Sequence, residues 1–285
     1  MLRRALLRSA LAAPAVAHTG IAQPGVAQTG VSQTGVAQTG VAQPGVGQTG
    51  VAQTGVAQPG RSGTLYLTID TGWSREAEAI AAAMVRHGVR ATLFVANEPT
   101  HRGDRQLEAG WAPFWRARAA EGHAFASHTW RHWYFRGDPA PGRVAYAPRG
   151  REGGEALDAA ALCAELARPT DALARMVPEA RILPLWRAPG GITTPGALRL
   201  AEGCGLRHQG WTAGGFLGDE LDSAAHSNDA LLRRALARTR DGEVLVMHWG
   251  VRSRREPFGL VFEPLLEGLL ARGFRFATLP PEGFR

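Results

Sequence analysis

From residue 64 to residue 279 the chain alternates short apolar runs with segments of helical spacing, and this rhythm restricts its fold more than any other feature. The strand candidates are Thr64–Asp70, Ala91–Ala96, Ala124–His128, Leu183–Arg187, Arg207–Thr212, Val244–His248 and Phe274–Leu279. Between them Arg75–His87, Leu107–Glu121, Pro195–Glu202, Asn228–Thr239 and Pro257–Ala271 space their apolar residues as helices do. Glu155–Val177 reads as helix that Pro169 divides in two. Such alternation predicts an α/β domain: a mostly parallel sheet or distorted (β/α) barrel of about seven strands, sheathed by helices. Trp133–Gly154 breaks the rhythm. Rich in Gly, Pro, Arg and Tyr, it reads as a long irregular loop, a lid or specificity segment.

In a fold of this kind the carboxyl ends of the strands converge on one face. Four clusters sit at such ends: Thr68-Ile69-Asp70-Thr71-Gly72, His128-Thr129-Trp130-Arg131-His132, Arg187-Ala188-Pro189-Gly190-Gly191 and Val246-Met247-His248. Asp70 closes an apolar run, where a carboxylate costs desolvation energy unless it is paired; it is either a general base or a cap for the helix starting near Ser74. His128 and His132 are four apart, which in a helical turn would put both imidazoles within reach of one divalent cation, although two unrelated histidines give the same spacing. Arg187 either clamps a carboxylate bidentately, with Asp70 its natural partner, or binds turn carbonyls. His248 ends the run Val244–Met247 as a satisfied core residue or a functional imidazole. Trp73, Trp130, Trp133, Trp186, Trp211 and Trp249 lie within a few residues of these clusters; aromatic faces there suit sugar rings, and core packing as well.

The first 60 residues are of another kind. They contain no acidic and no aromatic residue. Met1–Ala17 has basic residues, a Leu/Ala stretch interrupted by Arg8, and Ala15-Val16-Ala17 as a small-x-small pattern; it resembles a secretory signal peptide, the alternative being a disordered leader or a misassigned start. Residues 21–60 are eight pentapeptides of the form (Val/Ile)-(Ala/Ser/Gly)-Gln-(Thr/Pro)-Gly, with Val16–Gly20 a degenerate ninth. One small apolar residue in five cannot offset the entropy of ordering the backbone, so residues 18–60 are expected to be a disordered, low-complexity linker before a domain at 61–285.

Net charge is +7, and Arg3, Arg4 and Arg8 carry three of those charges, which leaves a mild +4 beyond residue 60. All 32 basic residues are arginine, yet no long basic helix or RNA-binding aromatic motif appears, so nucleic acid is not an expected partner. No 18-residue apolar run exists, which argues against a membrane-spanning helix. No G-x-S-x-G is present, which disfavours a serine hydrolase. Cys163 and Cys204 belong to no C-x-x-C pair; buried free thiols are the first expectation, while a disulfide would be compatible with export.

Taken together and in order, the clusters resemble the polysaccharide deacetylases of carbohydrate esterase family 4, the NodB homology domain. Leu67–Gly72 resembles the family's T-F-D-D-G, Ala91–Val95 its A-T-F-F-V, and Gly122-His123 through His132 its G-H-x-x-x-x-H-[ST]-x-x-H. Arg187–Gly191 resembles R-x-P-x-G, Gly242–His248 the late strand ending in L-x-H, and Gly273–Leu279 the closing strand. The resemblance spans about residues 62–285 and implies a NodB-type distorted barrel that removes N-acetyl groups from amino sugars of a glycan such as chitin or peptidoglycan. It implies Asp70 as general base, His128 and His132 as ligands of a divalent metal, commonly Zn2+, Arg187 as the holder of Asp70, and His248 as general acid. Pro189, Gly190, Trp130 and Trp211 would bind substrate. Two departures stand out. Thr71 occupies the place of the second aspartate, a metal ligand, and loss of that charge weakens metal binding unless Thr71 itself, water or another carboxylate substitutes. The acidic motif that tunes the general acid matches only loosely, with Asp219 the candidate partner of His248. Two alternatives therefore stay open: a glycan-binding pseudoenzyme with a degraded metal site, and a metal-independent hydrolase of a small amide. An exported or cell-envelope location follows if the leader is a signal peptide, and a cytoplasmic one if it is not.

Overall fold

The computed structural model describes residues 63–150 and 153–284. The leader and the repeat, with the disorder expected there, fall outside the described residues. In chain order the elements are β1 (Gly63–Asp70), α1 (Ala77–Arg86), β2 (Thr92–Val95), α2 (Ala112–Ala120), β3 (Ala124–Ser127), β4 (Tyr134–Ala140), β5 (Arg143–Ala147), β6 (Glu155–Leu157), α3 (Ala159–Met176), β7 (Arg181–Trp186), α4 (Pro195–Gly203), β8 (Arg207–His208), α5 (Asn228–Arg238), β9 (Val244–His248), α6 (Gly259–Ala271) and β10 (Phe274–Phe276). A 7-stranded sheet runs β10-β1-β2-β3-β7-β8, with β9 also paired to β1, and every pairing in it is parallel. This is the expected α/β architecture with the expected strands. Among the described residues no helix is long and apolar enough to cross a membrane.

The two faces of each strand serve different layers, because side chains alternate with period two. On β1, Leu65, Leu67 and Ile69 join the larger core, with Ile80 and Met84 of α1 and Phe262, Leu265 and Leu269 of α6. The opposite face is lined by a smaller cluster: Tyr66, Phe94, Ala124, Ala126, Leu183, Leu185 and Val244. Asp70 continues the second series on β1. His128 continues it beyond β3, Arg187 beyond β7, and His248 on β9. Strand parity thus aims four chemically active residues at one side of one sheet edge. The β3–β7 register shifts between Phe125 and Ser127, opposite the stretch holding Pro184, a residue that cannot donate to a ladder.

Several boundaries differ from the sequence reading. Trp133–Gly154 is not an irregular loop: β4, β5 and β6 make a separate 3-stranded antiparallel sheet. Its period is hidden by register irregularities between Phe135 and Gly137 and between Gly137 and Ala140. Phe135, Val144, Tyr146 and Leu157 bury against Leu162, Leu166 and Trp186, and this packing holds the sheet in place. Glu155–Leu157 belongs to that sheet rather than to the following helix. Pro169 does not split α3, which runs unbroken through Ala159–Met176. A proline lacks the N–H that would reach back four residues. The carbonyl it releases, that of Glu165, accepts instead from the backbone N–H of Trp130 at 3.0 Å. The fifth predicted strand shrinks to the two residues of β8, and the seventh ends at Phe276. Cys163 and Cys204 are bonded to each other, with Cα atoms 5.6 Å apart, and are not free thiols. The pairing arises because α3 and α4 lie side by side, a tertiary fact that 41 residues of separation conceal.

Candidate active site

Asp70 ends β1 only 2% exposed, and Arg187 directly follows β7, fully buried. The Arg187 Nη1 donates to Asp70 Oδ1 at 2.8 Å and to Thr68 Oγ1 at 2.8 Å. Its Nε and Nη2 donate to the carbonyls of Gln209 and Gly210, at 3.0 and 3.1 Å. The expected bidentate clamp is therefore a single-nitrogen contact, because the other donors hold the chain after β8. The guanidinium also lies 4.0 Å over the Phe94 ring. Both readings of this arginine hold at once. Burial acts most strongly on Asp70 and opposes its ionisation, but Arg187, with His128 and His248, outweighs it and holds the carboxyl below the usual range.

The turn between His128 and His132 is not helical. Thr129 and His132 adopt positive φ, 63° and 54°, and bend the chain so that the two rings meet regardless. Such backbone is costly outside glycine and persists only where surroundings over-determine it. Here they do. Tyr146 Oη donates to Glu165 Oε1 and accepts from the Thr129 hydroxyl, both at 2.9 Å, and Thr129 Oγ1 accepts from the His132 N–H at 3.1 Å. Glu165 Oε1 also accepts the Arg131 N–H at 2.7 Å. The hairpin and the proline-opened turn of α3 together pin this loop.

His128 Nε2 and His132 Nε2 face each other at 3.1 Å. His128 Nδ1 lies 3.0 Å from the Arg187 carbonyl, and His132 Nδ1 lies 3.2 Å from Glu98 Oε1. A carbonyl can only accept, so His128 Nδ1 carries the hydrogen and its Nε2 presents a lone pair. His132 Nε2 closes the contact as a hydrogen bond when it carries a hydrogen, and the two Nε2 atoms face one cation when it does not. Burial pushes the His128 pKa down to about 4, which keeps that ring neutral and able to ligate. The residues present thus fit a divalent cation held by two imidazoles. Thr71 does not turn its hydroxyl toward them; Oγ1 donates to Glu98 Oε2 at 2.8 Å. The one group of three His/Cys/Asp/Glu ligand atoms within 4.8 Å of one another among the described residues is elsewhere, at His87, Glu263 and Glu267. There Arg86 already engages Glu263 at 2.6 Å.

Across the cleft, His248 Nδ1 lies 3.0 Å from Asp219 Oδ2, which also accepts the His248 backbone N–H at 2.6 Å. Asp219 is 2% exposed. Burial works against a charge on His248, yet Asp219, with Asp70 and Glu220, raises its pKa to about 10. The Asp219 carboxylate arrives on the segment whose Phe216 bridges Val246 of β9.

These groups open on a cavity of about 600 Å³ lined by Asp70, Thr71, His132, Tyr134, Trp211 and His248, among others. Gly190 also lines it. Gly190 and Gly191 adopt φ of 64° and 69°, and a Cβ on either would sit 2.7 Å from the Tyr134 ring or 2.6 Å from the Trp211 ring, which explains the paired glycines. Pro189 is buried behind this wall and does not line the cavity. Trp130 does not line it either; it packs against the main core with Arg168 4.1 Å over its ring. Of the six tryptophans near the clusters, Trp73 and Trp211 face the cavity, while Trp186 and Trp249 are core. Sequence reasoning missed Glu98 and Glu165. Glu98 had a weak signal, since it lies just beyond the end of the second strand; Glu165, inside a helix, had none.

This parallel α/β sheet thus carries an acid, paired imidazoles and a buried arginine at its carboxyl edge. The polysaccharide deacetylase family profile matches residues 57–208, more than half of the sequence, and the chain belongs to that family. Among solved structures it is similar to a family 4 carbohydrate esterase from Streptomyces lividans in complex with acetate, at 22% identity and TM-score 0.56, over 77% of this chain and 94% of that one. It is also similar to a family 4 acetyl xylan esterase from Clostridium thermocellum in complex with a cobalt ion, at 16% identity and TM-score 0.57, over 75% and 87%. A third is a wild-type family 4 pseudoenzyme from Bacillus anthracis, at 15% identity and TM-score 0.55, over 76% and 64%. At these identities the likeness is one of fold. Among curated protein sequences none matches this chain.

Proposed function

We propose that the protein is a metal-assisted hydrolase that removes N-acetyl groups from the amino sugars of a glycan of the chitin or peptidoglycan type. The observation that carries this reading is the pair of imidazole Nε2 atoms converging at 3.1 Å beside a carboxylate whose Oδ2 lies 3.6 Å from His128 Nε2. His128 and His132 would hold the cation, which when bound supplies Lewis acidity toward the acetyl carbonyl and acidifies water. Asp70, kept ionised by Arg187, accepts a proton from the attacking water as the C–O bond forms. His248, kept protonated by Asp219, gives its proton to the sugar nitrogen as the C–N bond breaks. Acetate and a free amine result. Trp73, Tyr134 and Trp211 offer aromatic walls to the sugar rings.

The test is acetate release from acetylated chitooligosaccharides and from peptidoglycan, with zinc or cobalt and after exhaustive chelation. Release that depends on metal and disappears in Asp70→Asn is the expected result. No release from any such substrate counts against catalysis and favours the one rival with an observation of its own: Thr71 in place of a ligand marks a glycan-binding pseudoenzyme. Release that survives chelation favours a metal-independent amide hydrolase. An exported or cell-envelope location is part of the proposal, supported by the Cys163–Cys204 disulfide, a bond that persists in oxidising compartments. Fractionation of cells that express the full chain checks it, and a solely cytosolic, reduced protein would reject it.

A further inference from the structure

Position 71 raises a question of charge. A hydroxyl stands where the family pattern has a carboxylate, so the metal centre would consist of two neutral imidazoles. Affinity for a divalent cation then depends on whether a negative charge reaches the site from elsewhere.

Thr71 and Glu98 sit on adjacent strand ends. The register pairs Asp70 with Phe94, and the Thr71 N–H donates to the Phe94 carbonyl at 3.0 Å. Residues just past β1 therefore lie beside residues just past β2. The Thr71 hydroxyl accepts the Ala96 N–H at 3.2 Å, which leaves its own hydrogen free to point at Glu98 Oε2, 2.8 Å away. Glu98 Oε1 is then 3.2 Å from His132 Nδ1. The Glu98 backbone is pinned too: its carbonyl accepts from the N–H of Gln106, a fully buried residue, at 3.0 Å. The Glu98 side chain is 17% exposed and lines the cavity wall.

We infer that Glu98 replaces the missing acid from the neighbouring strand end, acting on the metal site through His132, with Thr71 as its holder. The inference rests on the metal-assisted reading above. Glu98 is a positioning residue. A carboxylate 3.2 Å from Nδ1 favours the tautomer that carries its hydrogen there and leaves Nε2, which faces His128, as the more basic ligand; such outer partners change metal affinity about 10- to 100-fold. The exchange of aspartate for threonine at position 71 moves the charge across one β-ladder spacing and does not delete it.

The experiment is calorimetric titration of the metal-free full-length protein with zinc, alongside the melting temperature of each metal-free variant. Wild type should bind one zinc and His128→Ala should bind none. Glu98→Gln, which keeps size and shape but removes the charge, should raise Kd about 10- to 100-fold with an unchanged metal-free melting temperature. The double variant Glu98→Gln/Thr71→Asp should recover most of the lost affinity, because the acid is restored at the neighbouring strand end. Glu98→Gln binding zinc as tightly as wild type, while His128→Ala does not bind, overturns the role of Glu98 and leaves the metal-assisted reading intact. A double variant no better than Glu98→Gln also overturns it, since the charge would then not be the lost quantity. A wild type that binds no zinc removes the metal-assisted reading and this inference with it.

Discussion

The two sides of the cavity are built with opposite electrostatic logic. On one side an acid, Asp70, is buried against a guanidinium that is itself fully buried. On the other a base, His248, is 19% exposed and bonded to a buried carboxylate, Asp219. Each titratable group is paired with the charge that holds it in one state: Asp70 without its proton, His248 with one. Environments that push two pKa values apart in this way are what the proposed base and acid roles require. The two sides also differ in origin: Asp70 and Arg187 stand at strand ends of the parallel sheet, whereas Asp219 comes from the connection between β8 and α5.

The largest effect that could break this contrast is loss of the base. Asp70→Asn should lower kcat about 10²- to 10⁴-fold, measured as acetate release, and a loss of less than tenfold would remove Asp70 from the role. Next, Arg187→Ala leaves a buried carboxylate without its cation and should cost about 3–5 kcal/mol in chemical denaturation, far more than Asp219→Asn. Equal costs would mean the two sides are not built differently. Reduction of the disulfide should cost about 2–4 kcal/mol in chemical denaturation, and an unchanged stability would mean that the bond adds nothing to the packing of α3 on α4.

The pH dependence sharpens the comparison on the acid side. Because the folded pKa of His248 is raised to about 10, activity should fall as pH climbs through that value and the proton is lost. Its contribution to stability has the same sign. It is fully present below the ordinary value of 6.5 and is lost as pH rises through about 10. Asp219→Asn removes the largest raising charge and leaves the opposing burial, with Asp70 and Glu220 still raising, so the alkaline limb should move down from about 10; an unmoved limb would assign that proton to another group. The smallest expected effect separates wall from core. Trp211→Phe should raise KM several-fold, about 1 kcal/mol of aromatic contact, while Trp130→Phe leaves KM unchanged. The reverse outcome would return Trp130 to the substrate site.

Asp70, His128, Arg187 and His248 were legible because each closes an apolar run, and period-two alternation carries the facing of a strand to its last residue. Asp219 was legible only as a candidate, since nothing local fixes its distance from His248. The hairpin was hidden because Gly137 and Pro139 interrupt its alternation. Trp130 was misread because closeness in sequence to His128 says nothing of which way a ring turns at a loop with two left-handed residues.

By itself the sequence determined the class of fold, the strands of its sheet and which residues stand at the carboxyl edge of that sheet. These follow from local periodicity, which is a property of the backbone. The tertiary structure alone decided that Cys163 meets Cys204, that Pro169 frees a carbonyl for the loop of Trp130, and that Glu98 stands behind His132. Each of these is a contact between segments far apart in the chain, set by helix and strand packing that no local pattern encodes.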